Sequence, residues 1–340
     1  MKNSNIKKVI LIIIILTIII VPFVIVGRTI KNPVKVDGNV IINVEEGDSF
    51  YGVLNKLSKR EEIRGLPIIK LYLKITNKNL EVKPGTYEIH NKMTVNDIVE
   101  TLTSESTKNL IKFTVPEGYT VDDIASKLEK EKICTKGDFI KAVKQYNLPP
   151  FIKNNDNKKY NLEGYLFPDT YIIKKDEKPG EIVQVMVSRF EEAFEEALKE
   201  TNIKTSDEDV ETVITIASMI EKEARVDKER PIIASVIANR VSEGMNLQID
   251  ATVIYALGEH VEKVLYSHLE TESPYNTYKI NGLPIGPISN PGMPSILAAL
   301  KPATTDYLFY VLEKDMKHHF FTRDENEFMS KLKELGYLEE

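Results

Sequence analysis

An uncharged apolar run near the start of the chain sets the first limit on what this sequence can fold into. The run extends from Val9 to Val26, and only one threonine and one proline interrupt its hydrophobic side chains. A helix of this length spans about 27 Å, which is close to the hydrocarbon thickness of a bilayer. A buried core helix is the alternative, but soluble helices are rarely apolar on every side. The run predicts a transmembrane anchor over residues 9–27, after a cytoplasmic tail over residues 1–8.

The residues that flank this run do not look like a cleaved secretory signal. Such a signal has a shorter apolar core and a small-residue cleavage site, and no such site follows Val26. Lysines precede the run, but Arg28, Lys31 and Lys35 follow it, so charge bias alone does not fix the orientation. We expect a single-pass anchor in the cytoplasmic membrane, with the N-terminus inside and everything after residue 30 outside.

The remainder of the chain has the composition of a folded protein. The 340 residues suffice for about two domains, with 42% hydrophobic and 28% charged residues. The net charge of −6 and the absence of a long basic block argue against a nucleic-acid partner. Cys134 is the single cysteine of the sequence, so neither an internal disulfide nor a cysteine-rich metal pattern is possible. We expect no metal and no cofactor.

A short unit recurs in the first half of the chain. Residues 44–47 and 115–118 each lead, at the same spacing, into a segment with apolar residues at positions i and i+4, and residues 93–95 begin a partial third copy. Each copy predicts a strand, a turn and a helix of about ten residues. The pattern resembles the LysM-like units of cell-wall proteins, which implies binding of N-acetylglucosamine-containing glycans. A structural spacer is the alternative. The predicted modules cover residues 28–106 and, as a second or connecting module, 107–160.

Periodicity predicts three helices in the second half of the chain. They cover residues 179–200, residues 206–225 and a segment that begins near Pro231 and ends near Val241. Residues 306–340 predict a strand, a turn and a closing helix. The middle helix is nearly apolar all round over residues 213–220, which indicates a central and buried position.

Glu221 continues the apolar stripe of this central helix, four residues after Ala217. Glutamate is almost never buried without a partner or a purpose. Burial raises the pKa of a carboxyl group, and a carboxylic acid that keeps its proton can act as a general acid on a glycosidic oxygen. An ion pair is the alternative reason to bury this residue, and its basic neighbours in the sequence are Lys222, Arg225 and Arg240.

The residues around Glu221 resemble the A-S-x-[VI]-E-K-E motif of the endolytic murein transglycosylases, the MltG or YceG-like family. Further motifs follow the order of that family. They lie at residues 162–171, 239–240, 247–255, 273–278 and 282–292. The joint order and spacing of these motifs make the resemblance specific, and it spans nearly the whole chain.

The resemblance implies an α+β protein with an N-terminal transmembrane helix, LysM-like modules and a mainly helical catalytic domain with small strands over residues 161–340. Glu221 would be the single catalytic carboxylate. The residues expected to bind substrate are Gln248, Asp250 and Tyr255 along a cleft, Tyr275, Asn276 and Tyr278 opposite them, Asn290 in a Gly-Pro-rich loop, and Glu163 in the first of the motifs. The partners implied are peptidoglycan glycan strands, the cytoplasmic membrane and peptidoglycan synthases.

The implied reaction is a lytic cleavage between N-acetylmuramic acid and N-acetylglucosamine that leaves 1,6-anhydro ends and terminates nascent strands. Three alternatives stay open. A muramidase would add water and use Asp250 or Asp169 as its second carboxylate. A non-catalytic wall-binding scaffold would keep Glu221 for structure alone. A cytosolic pyridoxal-type lyase would need a Schiff-base lysine, which nothing in the sequence identifies, and the anchor argues against it.

Overall fold

The chain divides into two compact units. The computed structural model describes residues 21–22, 24–36, 38–76, 78–103, 110–174, 177–258, 261 and 264–337. One unit comprises Met1–Lys112 with Ile172–Asp176, and the other comprises Phe113–Tyr171 with Glu177–Glu340. The mixture of helices and short strands confirms the α+β class.

The predicted anchor lies mostly outside the described residues, as does the tail before it. Residues 21–22 and 24–31 are helical and form α1. Across the described ranges, no helix has the length and apolar character needed to cross a membrane.

Among its described residues before Leu110, the first unit has an antiparallel pair of strands and three helices after α1. In chain order these elements are β1 (Asn39–Val44), α2 (Phe50–Lys59), α3 (Leu66–Thr76), β2 (Gly85–His90) and α4 (Val95–Thr103). The strands β1 and β2 pair from Asn39 opposite His90 to Val44 opposite Gly85. Two helices therefore separate two strands that are neighbours in space.

Apolar residues that alternate along β1 and recur at helical spacing along α2 contribute to the core of this unit. Ile42 and Val44 of β1 are 1% and 4% exposed, and Val53 and Leu57 of α2 are completely buried. Ser49 caps α2, since its hydroxyl accepts a hydrogen bond from the Gly52 amide. The strand–turn–helix pattern predicted at residue 44 is thus confirmed, and β2 followed by α4 confirms it for the partial copy.

The second unit is mainly helical. Its elements are α5 (Val121–Lys130), α6 (Lys136–Gln145), α7 (Pro179–Thr201), α8 (Asp207–Glu223), a 3-10 turn (Asp227–Glu229), α9 (Arg230–Ser242), α10 (Asp250–Leu257), α11 (Tyr266–Leu269), α12 (Met293–Leu300), β5 (Phe309–Leu312), β6 (His319–Thr322) and α13 (Glu325–Leu335). The strands β3 (Leu110–Thr114) and β4 (Thr170–Lys174) pair with each other, and the division between the units falls within both of them.

The helix α8 is central to the second unit, as its apolar sequence predicts. Ile214, Ala217, Met219 and Ile220 are all completely buried. The short helix α12 packs against α7, α8 and α9. This packing holds the last turn of α8, which carries Glu221, against the start of α12.

The compact units divide near residue 112, so most of the predicted second or connecting module, residues 107–160, belongs to the same unit as residues 177–340. There α6 packs against both α5 and α7. The domain bounds stay a prediction. The C-terminal segment contains two antiparallel strands, β5 and β6, where one strand was predicted. Each strand has only four residues, too few to show a clear alternation.

Candidate active site

Glu221 lies in the last turn of α8 with its carboxyl group largely enclosed. The side chain is 6% exposed. Its Oε2 accepts hydrogen bonds from the Gly292 amide at 3.0 Å and from the Ser295 hydroxyl at 2.8 Å. Within the described part of the chain, no residue hydrogen-bonds to Oε1. One oxygen therefore fixes the orientation of the carboxyl group and leaves the other available to a ligand.

Arg230, at the start of α9, supplies the positive charge next to this carboxylate. Its Nη1 is 3.4 Å from Oε2 of Glu221 and donates to the Ser295 hydroxyl at 2.5 Å. Its Nε also pairs with Asp227 at 3.0 Å. The guanidinium side chain is only 9% exposed, so the ion pair with Glu221 is shielded from solvent. Glu221 therefore forms an ion pair, which was the alternative raised by the sequence. Its partner is Arg230 and not one of the basic residues considered there.

A second carboxyl group, that of Glu117, lies beside Glu221. The residue is in the turn between β3 and α5, and its carboxyl group contacts the backbone of Gly292 so closely that a Cβ atom there would be 1.9 Å from Oε1. Burial and the charge of Glu221 raise the pKa of Glu117, while the Arg230 guanidinium opposes that rise.

Two loops that are distant in sequence frame this pair of carboxyl groups. The Gly118 amide donates to the Asn290 carbonyl at 2.9 Å, and the Asn290 amide donates to the Tyr119 carbonyl at 2.8 Å. Gly118 has φ +74°, and a Cβ on it would be 3.5 Å from Cγ of Glu221. This left-handed conformation favours glycine and brings the loop up to α8.

The Asn290 side chain joins these loops through hydrogen bonds. It is completely buried. Its Nδ2 donates to the Tyr119 carbonyl at 2.8 Å, and its Oδ1 accepts from the Leu166 amide at 2.8 Å. Every polar atom of this side chain thus has a partner in the protein, so the structure gives it a positioning role. Its predicted contact with substrate remains a prediction.

Glu163 belongs to the same buried network. It is 1% exposed, and its Oε1 accepts from the Val121 amide at 3.0 Å and from Asn290 Nδ2 at 3.2 Å. Tyr255 donates to Oε2 at 2.9 Å. Burial raises the pKa of Glu163 to about 8, against the lowering effect of the Tyr255 and Val121 hydrogen bonds. The Glu163 side chain therefore stabilises the loops from a buried position. Its predicted contact with substrate remains a prediction.

A cleft of about 1030 Å³ is lined by residues that include Lys222 and Glu223, the two residues after Glu221 at the end of α8. Glu223 lines it, and Tyr310 of β5 donates a hydrogen bond to Oε2 of that residue at 3.0 Å. Burial raises the pKa of Glu223 to about 7, and the Tyr310 hydrogen bond lowers it in part. A carboxyl group in this state can donate or accept a hydrogen bond near neutral pH.

Three of the predicted substrate-binding residues meet in this cleft. Gln248, Asp250 and Tyr278 all line it, and Tyr278 donates to Oδ1 of Asp250 at 2.6 Å. Gln248 has φ +52°, an uncommon conformation for a residue other than glycine. Arg240 donates to its Oε1 at 3.4 Å. Strained backbone of this kind is often found at functional sites, so the conformation favours a role in binding.

The remaining predicted binding residues are enclosed. Tyr255 and Tyr275 are 6% and 4% exposed, with their rings edge to face at 4.8 Å, and the Tyr275 hydroxyl accepts from the Lys159 amide. Asn276 is fully buried and donates to the Leu269 and Thr271 carbonyls. Its Oδ1 accepts from the Tyr278 amide at 3.0 Å. Asn276 thus positions Tyr278, and contact of these three residues with substrate remains a prediction.

Sequence reasoning did not include Glu117, Glu223 or Arg230 among the predicted site residues, although it expected Glu223 to face solvent or the edge of a cleft. Glu117 was part of the recurring turn motif, so its position in a structural repeat obscured its chemistry. Arg230 follows the helix after a short turn, and only packing brings it to Glu221. Within the described ranges, no group of three or more histidine, cysteine, aspartate or glutamate residues could hold a metal ion.

Comparison with known proteins gives a consistent group of relatives. The YceG-like family matches residues 42–334. The endolytic murein transglycosylase of Bacillus subtilis (strain 168) is 36% identical over 319 residues, which cover 86% of this chain and 87% of that protein. The protein of the same name from Streptococcus pneumoniae (strain ATCC BAA-255 / R6) is 28% identical over 81% of this chain, which spans 54% of that relative. The crystal structure of a YceG-like protein from Listeria monocytogenes matches with a TM-score of 0.58 and 34% identity, covering 86% of this chain and 98% of that one.

Proposed function

Because this chain belongs to the YceG-like family, we propose that it is a lytic transglycosylase that cuts the glycan strands of peptidoglycan within their length. The relatives in Bacillus subtilis and Streptococcus pneumoniae carry the name endolytic murein transglycosylase. The observation that carries the proposal is the geometry of Glu221. One carboxyl oxygen is held by Gly292, Ser295 and Arg230, and the other lacks a protein partner among the described residues.

Glu221 acts first as an acid and then as a base. It protonates the oxygen that links N-acetylmuramic acid to N-acetylglucosamine, and the bond from that oxygen to the muramyl anomeric carbon breaks. The resulting carboxylate takes the proton of the muramyl C6 hydroxyl, whose oxygen forms a bond to the same anomeric carbon. The products are a free glycan end and a 1,6-anhydro ring, and no water is consumed. Glu221 thereby regains a proton in place of the one that it donated.

The intramolecular attack explains why a positioned carboxyl group suffices. Holding the C6 hydroxyl near the anomeric carbon converts a two-body step into one within a single bound molecule. The hydrolase alternative would need a water and a partner carboxylate placed for it. Asp169 is paired with Arg189 at 2.8 Å. Asp250 lies in the cleft and binds Tyr278, so it is the stronger candidate for that alternative.

The cleft offers surfaces of two kinds to a glycan strand. Gln248, Asp250 and Tyr278 present groups that hydrogen-bond to sugar hydroxyl and acetamido groups. Tyr266, which is 86% exposed, and Tyr337, which is 55% exposed, line the same cleft and offer flat apolar faces. We infer that the strand runs along this cleft towards the end of α8.

The apolar run over residues 9–26 supports anchoring in the cytoplasmic membrane, with the enzyme on the outer side. Anchoring would keep the cuts close to newly made strands, which suits termination of those strands and partnership with peptidoglycan synthases. The order β1, α2, α3, β2 in the first unit fits a small module of the LysM-like kind. A glycan-binding role for this module is part of the proposal, and a spacer is the alternative.

The test is the chemistry of the ends that the full-length chain produces from purified peptidoglycan. Mass spectrometry should detect 1,6-anhydro ends with the wild type and none with Glu221→Gln, which keeps the size of the side chain but cannot supply the proton. Glu191→Gln on the exposed face of α7 is the matched control and should act like the wild type. Reducing ends that carry an added water would instead support a hydrolase, and equal cleavage by Glu221→Gln would remove this residue from the mechanism.

A further inference from the structure

The backbone conformation of Gly292 does not explain why this position is occupied by glycine. The residue precedes α12 with φ −80° and ψ 171°, a conformation open to any residue. A Cβ atom at this position would nevertheless be 1.9 Å from Oε1 and 2.2 Å from Cδ of Glu117. The space that a side chain would need is filled by the Glu117 carboxyl group. The absence of a side chain at Gly292 therefore leaves room for the carboxyl group of Glu117.

This space lies next to the end of α8, which carries Glu221. The amide of Gly292 donates to Oε2 of Glu221 at 3.0 Å, so one backbone residue touches both carboxyl groups. The turn that carries Glu117 is fixed against the same loop, because the Gly118 amide donates to the Asn290 carbonyl at 2.9 Å. Glu117 is exposed as a residue, and its carboxyl group lies against Gly292.

Glu117 and Glu221 share the charged neighbour Arg230. Burial and the charges of Glu221 and Asp227 raise the pKa of Glu117, and the Arg230 guanidinium lowers it. Lys222 approaches the same turn, with its Nζ 3.4 Å from the Gly118 carbonyl. None of these contacts is a close ion pair that would fix Glu117 for structural reasons alone.

We propose that Glu117 is a second catalytic carboxylate, seated on Gly292 beside Glu221, where its charge stabilises the positive charge that develops on the sugar ring. This inference rests on the proposed function, since an oxocarbenium-like transition state is what such a charge would stabilise. No bond forms to Glu117. The proton moves only between Glu221, the leaving oxygen and the C6 hydroxyl, so the overall balance of the lytic reaction is unchanged.

The test uses three variants of the full-length chain and a defined glycan oligomer as the substrate. Glu117→Gln removes the charge and should lower kcat about a hundredfold, the scale of one lost electrostatic contact in an active site, with KM changed less than twofold. Gly292→Ala should lower kcat similarly, because the added methyl group displaces the flexible Glu117 side chain. The double variant should be no worse than either single variant, because both act on one carboxyl group.

Controls separate this effect from a general loss of structure. Gly180→Ala, at a glycine with no atom within 4 Å of an added Cβ, should keep the wild-type kcat. Far-UV circular dichroism and the urea midpoint of Glu117→Gln should match those of the wild type. In the pH profile of kcat/KM, the acidic limb that reports ionisation of Glu117 should disappear in Glu117→Gln, which a purely structural role would not cause.

Two results would overturn the inference while leaving the proposed function intact. One is wild-type kcat in Glu117→Gln when Glu221→Gln is inactive. The other is a double variant whose loss equals the product of the two single losses, because the two positions would then act independently. Absence of anhydro ends with the wild type would instead refute the proposed function itself.

Discussion

Replacement of Glu163 by glutamine should change how the stability of the second unit depends on pH. The residue is 1% exposed, and burial raises its pKa to about 8. In the unfolded chain an ordinary glutamate has a pKa near the usual 4.5. Between these values the native state binds a proton that the unfolded state has released. The unfolding free energy must therefore fall as the pH rises through this interval.

The magnitude follows from the difference between the two values. A carboxyl pKa that rises from 4.5 to about 8 on folding corresponds to about 5 kcal/mol, at about 1.4 kcal/mol for each pH unit between them. Glutamine cannot ionise, so Glu163→Gln should avoid this loss. Its amide has nearly the shape of a protonated carboxyl group. The carbonyl oxygen can still accept from Val121 and Asn290, and the NH₂ group faces the Tyr255 hydroxyl.

The assay is urea denaturation of the wild type and Glu163→Gln, followed by far-UV circular dichroism at intervals from pH 4.5 to 9. The difference in unfolding free energy between the two proteins removes the contributions of all other titrating groups. We expect the two to be within about 1 kcal/mol at pH 4.5, where a single hydrogen bond sets the scale, and the variant to gain on the wild type by several kcal/mol at pH 9. A difference that stays flat over this interval would show that ionisation of Glu163 is not linked to folding.

Two further changes test other buried charges. Tyr310→Phe removes the hydrogen bond that lowers the pKa of Glu223, so this pKa should rise above about 7 in carboxyl ¹³C NMR titrations; an unchanged or lower value would contradict the assignment of the bond. Glu211→Ala removes the partner 2.5 Å from Lys158, whose side chain is 2% exposed, and should cost about 3–5 kcal/mol of unfolding free energy. The paired change of Lys158→Met and Glu211→Leu should recover most of that loss in urea denaturation, and a loss as large as that of the single variant would refute an explanation by unpaired charge.

Periodicity was sufficient to predict the three long helices of the second unit. The structure has them at Pro179–Thr201, Asp207–Glu223 and Arg230–Ser242, each within a few residues of its predicted bounds. Burial of Glu221 also followed from its place on the apolar stripe. These properties depend on neighbours three or four residues away, which a sequence displays directly.

The partners of Glu221 could not be predicted in the same way. Gly292 and Ser295 are more than seventy residues further along the chain, and their contacts depend on how α12 packs against α8. The sequence also contains no signal that distinguishes Asn276 from Gln248. The Asn276 amide donates to two backbone carbonyls, whereas Gln248 lines the cleft. Both residue types suit a sugar equally well, and only burial distinguishes them.

Asn290 ties together segments that are far apart in the chain. Its side chain joins Tyr119, Glu163 and Leu166, from 124 to 171 residues upstream. A chain that stops between residues 223 and 290 would keep Glu221 on its helix but would lack Gly292 and Ser295, which orient the carboxyl group. Under the proposed function, such a truncated chain would be inactive although it retains Glu221.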